Sequence, residues 1–128
     1  MGNGTSIGKV RGLGAAHHGP HHWLVQRFTA IGNVVLMSWL LVSLIMLGDY
    51  GYGNVVKWLS QPLSATAMIL LVFSLFWHAR LGLQVLIEDY IHDAGSKFAA
   101  ISALNLATIG GGAFGIFSVA ALAFGGQA

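Results

Sequence analysis

A histidine, His78, closes a long apolar run, and an aspartate–tyrosine pair, Asp89-Tyr90, follows 11 and 12 positions later. On a continuous helix that separation is about 16–18 Å. Ionisable side chains inside or beside a bilayer are costly, and they persist mainly where they do chemistry. An imidazole can ligate a metal or a haem iron. A carboxylate beside a phenol can relay a proton and donate a hydrogen bond to a carbonyl. The stretch from His78 to Tyr90 therefore reads as a ligand at depth and a proton-handling pair at the surface. Such a pair suits the reduction of a quinone, which needs two electrons and two protons at one place.

Helical spacing puts Ser74, His78, Gly82, Val85 and Asp89 on one face. Ser74 and Gly82 flank the imidazole by one turn with almost no side-chain volume, the clearance a flat macrocycle on His78 needs. The competing reading of His78 is a neutral histidine bonded to a neighbouring helix. For Asp89 and Tyr90 it is an interfacial tyrosine beside a solvated carboxylate. One intramembrane histidine cannot close a bis-histidine haem, so a second ligand must come from another subunit. Arg27 and His21 fall on the same side of the membrane as Asp89 and could hold haem propionates, since arginine grips carboxylates bidentately. Their plainer reading is a positive anchor and a tail histidine. The cluster His17, His18, His21, His22 could bind metal by composition, but its Gly-Pro interruption favours a solvated tail. Arg80 has no assigned role, and its default is to snorkel to the interface. His92, Asp93 and Lys97 read as solvating a loop.

The elements that must position these residues follow from composition. The chain has 128 residues, 55% hydrophobic and 8% charged, with a mean hydropathy of +0.72. A chain this short cannot hide so much apolar surface in a soluble core. No Asp, Glu, Lys or Arg occurs in the 21 residues between Arg27 and Asp49, in the 22 between Lys57 and Arg80, or after Lys97. Each run meets the need for about 20 apolar residues to cross a bilayer as helix. Spans are expected near 27–48, 63–87 and 98–124, with Pro62 opening the second, and an all-α membrane protein follows. A polar, flexible tail is expected over 1–20 and the three-helix anchor over 21–128. The first 20 residues lack the apolar core of a cleaved signal peptide. Lys9, Arg11, Arg27, Arg80 and Lys97 lie to one side and Lys57 alone to the other, which puts the N-terminus in the cytoplasm and the C-terminus outside. Trp23, Tyr50, Tyr52, Trp58 and Tyr90 read as interface anchors. Gly111-x-x-x-Gly115 offers a close-packing face to another helix. With no cysteine, thiolate metal sites, iron–sulfur ligation by this chain and disulfides are excluded. A net charge of +2 without a basic stripe argues against nucleic acid.

The core His78-x3-Gly82-x6-Asp89-Tyr90, followed by Ile91-His92, resembles the family of small hydrophobic membrane-anchor subunits of succinate dehydrogenase (respiratory complex II). The upstream His21-x5-Arg27 spacing, followed by Thr29-Ala30, looks like the same family. The resemblance runs from about His21 to the end of the second span, and the third span matches in character only. It implies three transmembrane helices, N-terminus inside, packed with a second, larger cytochrome b anchor subunit. It further implies that His78 is one axial ligand of haem b, that Tyr90 hydrogen-bonds ubiquinone with Asp89 beside it, and that His21 and Arg27 sit near the propionates. The flavoprotein and iron–sulfur subunits would be separate partners, in a bacterial inner membrane or its mitochondrial equivalent. The chain would catalyse nothing alone. Two rivals stand beside this expectation: the anchor of a quinol:fumarate reductase, and a cofactor-free three-helix assembly protein in which His78, Asp89 and Tyr90 satisfy one another or a partner helix. A small transporter fits less well, for want of an internal repeat or broken helices.

Overall fold

The computed structural model of the chain describes residues 19–125. Four helices occupy them: α1 (Gly19–Leu47), α2 (Tyr52–Leu59), α3 (Pro62–Tyr90) and α4 (Ala94–Gly125). Three of these are long and apolar enough to cross a membrane, over Trp23–Leu47, Pro62–Tyr90 and Ala94–Gly125. Each expected span is therefore present. The helices start earlier than charge spacing suggested, and α3 also runs on to Tyr90, because a helix satisfies its own backbone whether its side chains meet lipid or water. Arg27, expected to open the first span, lies a turn inside it, with its guanidinium 5.4 Å from the centre of the Trp23 ring. Of the tail expected over 1–20, residues 1–18 lie outside the described residues, as do His17 and His18, while Gly19 and Pro20 belong to α1.

The three long helices run antiparallel in chain order, with α3 in the middle. Thr29 and Gly32 of α1 meet His78 and Ser74 of α3. Gly111 and Gly115 of α4 meet Phe76 and Val72 of α3. Helices α1 and α4 do not pack on each other. The ends of α3 and α4 near Tyr90 and Ala94 thus lie at the same end of the bundle as the start of α1.

The opposite end is closed by α2, which charge spacing alone left as a loop. Gly48, at φ +70°, ends α1 in a tight turn closed by Asp49 N–H to the Leu47 carbonyl at 2.8 Å. The Asp49 carboxylate then accepts from Gly51 N–H at 2.9 Å and from the Asn54 side-chain amide at 2.6 Å. Helix α2 is strongly amphipathic, burying Leu59 and exposing Tyr52 and Lys57. Trp58 stacks on Trp39 of α1 with ring centroids 5.8 Å apart, and Tyr50 donates to the Leu44 carbonyl at 3.0 Å. Of the aromatic residues expected as interface anchors at this end, Trp58 and Tyr50 engage α1, whereas Tyr52 is exposed.

Helix α4 approaches α3 through its glycines. A Cβ on Gly111 would fall 2.7 Å from Phe76 Cε1, and one on Gly115 would fall 2.9 Å from Val72 Cγ1. In lipid, where apolar side chains gain nothing by leaving their surroundings, such close contact supplies the attraction between helices. The interior is thin: Leu59, Leu71, Leu81, Val119 and Ala123 are its buried apolar residues. Large residues such as Phe28, Met46 and Phe124 are four-fifths exposed, an exterior that suits hydrocarbon or a partner helix and not water.

Candidate functional site

His78 sits near the middle of α3, half-buried, with its ring turned toward α1. Its Nδ1 lies 3.1 Å from Thr29 Oγ1. Thr29 is held in place by its own helix, its hydroxyl lying 2.9 Å from the Val25 carbonyl and 3.0 Å from the Gln26 carbonyl. Among the described residues, the other ring nitrogen of His78 has no hydrogen-bond partner. The bond to a neighbouring helix that the plainer reading of His78 expects is therefore present.

Ser74 and Gly82 share the His78 face, as the helical spacing required. Helix α1 passes beside both of them. Ser74 Oγ lies 3.4 Å from the Thr29 carbonyl, a long contact, and a Cβ on Gly82 would meet the Gln26 amide at 3.9 Å. Small residues here let α1 come close enough for Thr29 to reach the imidazole. One turn along α1 from Thr29, the side-chain oxygen of Asn33 is buried with no hydrogen-bond partner among the described residues.

Asp89 and Tyr90 form the last residues of α3, and both side chains are exposed. No hydrogen bond ties either of them within the described residues, and neither touches His78. The idea that the three satisfy one another is thereby lost. Their neighbours do the structural work at this end. Lys97 Nζ donates to the Glu88 carbonyl at 3.2 Å, and Gln84 donates to the Glu88 carboxylate at 2.8 Å. Asp93 accepts from Ser96 N–H at 2.8 Å and so caps the start of α4. These bonds hold the Asp93 carboxyl below the ordinary carboxylate range, the backbone N–H of Ser96 contributing most. Asp93 and Lys97, which the sequence left as loop solvation, are the residues that fix the α3–α4 corner. The signal was available: an Asp three residues ahead of Ser96, at the start of an apolar run, is a capping pattern.

His21 and Arg27 are both exposed on the first half of α1. Among the described residues, no hydrogen bond joins either of them to His78 or to the other. Among the described residues, no group of three or more His, Cys, Asp or Glu is placed to hold a metal ion.

Arg80 is the residue the sequence left unexplained, and it does not snorkel. It turns across to α4, where its Nε donates to Asn105 Oδ1 at 2.6 Å, while its guanidinium covers the Trp77 ring at 5.4 Å. It lines a largely apolar groove of about 390 Å³ between α3 and α4, with Phe76, Trp77, Thr108 and Gly112 among its walls. Phe76 and Arg80 are each two positions from His78, so the groove opens on the opposite side of α3 from the imidazole.

Residues 1–112 match the family described as succinate dehydrogenase/fumarate reductase transmembrane subunits. A protein of Rickettsia bellii named succinate dehydrogenase hydrophobic membrane anchor subunit is 36% identical over 105 residues, covering 82% of this chain and 84% of its own. A succinate dehydrogenase membrane anchor subunit of Reclinomonas americana is 30% identical over 94 residues, covering 71% and 78% of the two chains. A more distant relative of the same kind in Coxiella burnetii is 23% identical over 95 residues, 74% and 83% of the respective lengths. No solved structure matches the chain significantly. Three membrane-length helices and a match over most of the length agree, and the chain belongs to the succinate dehydrogenase/fumarate reductase transmembrane subunit family as an integral membrane anchor.

Proposed function

We propose that this chain anchors the succinate-oxidising subunits of a succinate:ubiquinone oxidoreductase to the bacterial inner membrane or its mitochondrial equivalent. In this reading it supplies one axial ligand to a haem b and part of the ubiquinone-reduction site. The observation that carries it is His78: an imidazole at mid-membrane depth with one nitrogen tied to Thr29 and the other free. The donor set fits a shared haem, since His78 would supply one ligand from this chain and the larger anchor subunit would supply the other. When bound, the haem supplies a one-electron carrier between the partner subunits and the quinone region.

The chain's own residues would act as follows. His78 would hold the haem iron through Nε2, the ring nitrogen that Thr29 does not engage. Arg27 and His21, at the cytoplasmic end of α1, are the cationic and hydrogen-bonding groups available to propionates. Tyr90 donates its phenolic proton in a hydrogen bond to a quinone carbonyl, and Asp89 beside it passes protons from the cytoplasmic surface. Both lie exposed at the end of α3, where the iron–sulfur subunit would cover them and exclude bulk water. The orientation follows the positive-inside bias, with the Tyr90–Ala94 corner inside and α2 outside.

The test is substitution of His78 by alanine in the assembled complex. Loss or a marked change of a low-spin b-type spectrum is expected, with the flavin and iron–sulfur subunits still co-purifying. An unchanged spectrum would overturn the ligand assignment. The fumarate reductase reading shares every residue named here, and partner subunits and quinone potential separate the two.

A further inference from the structure

The hydroxyl of Thr29 has three polar neighbours: the Val25 carbonyl at 2.9 Å, the Gln26 carbonyl at 3.0 Å and His78 Nδ1 at 3.1 Å. Two of the three are carbonyl oxygens, which only accept. The hydroxyl proton of a threonine inside a helix commonly serves such a carbonyl of the preceding turn. Thr29 Oγ1 is then an acceptor toward the imidazole, and His78 Nδ1 must carry the proton. Neutral imidazole has one N–H, so Nε2 is left with its lone pair. Thr29 is β-branched, with its χ1 restricted by the helix to rotamers that suit this back-bonding. Ser74 and Gly82 permit the close approach of α1 that brings it into range.

We propose that Thr29 is a positioning residue for His78, fixing its tautomer, its ring orientation and its strength as an electron donor. This rests on the reading of His78 as a haem ligand and adds a role on α1 that the motif on α3 does not contain. A ligating imidazole that donates its second N–H to an acceptor gains basicity and is held in one orientation. A more basic axial nitrogen stabilises the ferric state and lowers the midpoint potential. Removing the acceptor therefore shifts the potential to more positive values.

The experiment uses the purified complex with Thr29→Val, which keeps the shape and deletes the hydroxyl, and Thr29→Ser, which keeps the hydroxyl. Haem midpoint potential is read by optical redox titration and axial-ligand strength by low-temperature electron paramagnetic resonance. A positive shift in Thr29→Val, with Thr29→Ser near the parent value, supports the proposal. So does loss of haem in Thr29→Val that Thr29→Ser restores. Equal potentials and spectra in parent and Thr29→Val overturn it, as does equal damage by both substitutions, which would mean a packing role. Should Thr29→Val not assemble, Thr29→Cys keeps the volume with a poor acceptor and is judged by the same criteria. The His78→Ala complex separates the two ideas. An unperturbed haem there sinks the ligand reading itself, whereas a lost haem with an inert Thr29→Val sinks only the role of Thr29.

Discussion

Tyr90 and His78 share a helix yet answer to different tests, because about 18 Å of helix rise divides them. A phenol that donates to a quinone carbonyl contributes only where the quinone reacts. Tyr90→Phe is expected to depress succinate:quinone turnover by about 10²-fold or more, the usual scale for a positioned proton donor. Succinate oxidation by an artificial acceptor that draws electrons from the other subunits should be retained. A parallel fall in both activities would mean that Tyr90 serves assembly instead. The residues proposed for these roles stand out in the sequence, as an imidazole, an acid and a phenol in an apolar chain. Thr29 was not legible as a partner of His78. The pair is 49 positions apart, and nothing in a local pattern says which threonine of one helix meets which histidine of another.

At the scale of elements, the two contacts of α4 with α3 can be tested separately. Adding a side chain at Gly115 drives a Cβ to 2.9 Å from Val72, a β-branched residue with little freedom to move. Gly115→Leu should cost about 1–3 kcal/mol of overpacking, measured as a lower unfolding midpoint in detergent. Arg80 and Asn105 form the polar contact. Asn105→Leu leaves a guanidinium without its acceptor and should cost about 1–2 kcal/mol, while Arg80→Leu combined with Asn105→Leu should recover most of that loss. An additive double substitution would show that the two residues do not act together. The α4 cap has a pH signature. Because Asp93 titrates below its ordinary value in the folded chain, its stabilisation is present above the ordinary carboxylate range. It is lost as pH falls through the lowered value. Hydrogen exchange at Ser96 should therefore speed up on acidification beyond the intrinsic trend, and Asp93→Asn should abolish that extra dependence. Long helices were legible from charge-free runs because a bilayer sets their length. Helix α2 was missed because eight residues of amphipathic helix look like an aromatic-rich loop when only charge spacing is read.

For the whole molecule, the thin interior and the exposed apolar faces mean that sidedness decides whether the proposed chemistry is possible at all. Tyr90 and Asp89 lie at the end of the bundle that holds the start of α1 and the α3–α4 corner, and α2 lies at the other end. Under the proposed function, the succinate-oxidising subunits would deliver electrons to the Tyr90 end only if that end faces the compartment they occupy. The absence of cysteine from the sequence makes the question directly accessible. His92→Cys reports on the α3–α4 corner and Tyr52→Cys on α2, and both parent side chains are exposed. A membrane-impermeant maleimide should label Tyr52→Cys in right-side-out vesicles and His92→Cys in inverted ones, with partner coverage of the corner removed by stripping the peripheral subunits. The opposite pattern would place Tyr90 across the membrane from the electron source. Haem ligation by His78, near mid-membrane, would survive such a reversal, but quinone reduction at Tyr90 would not.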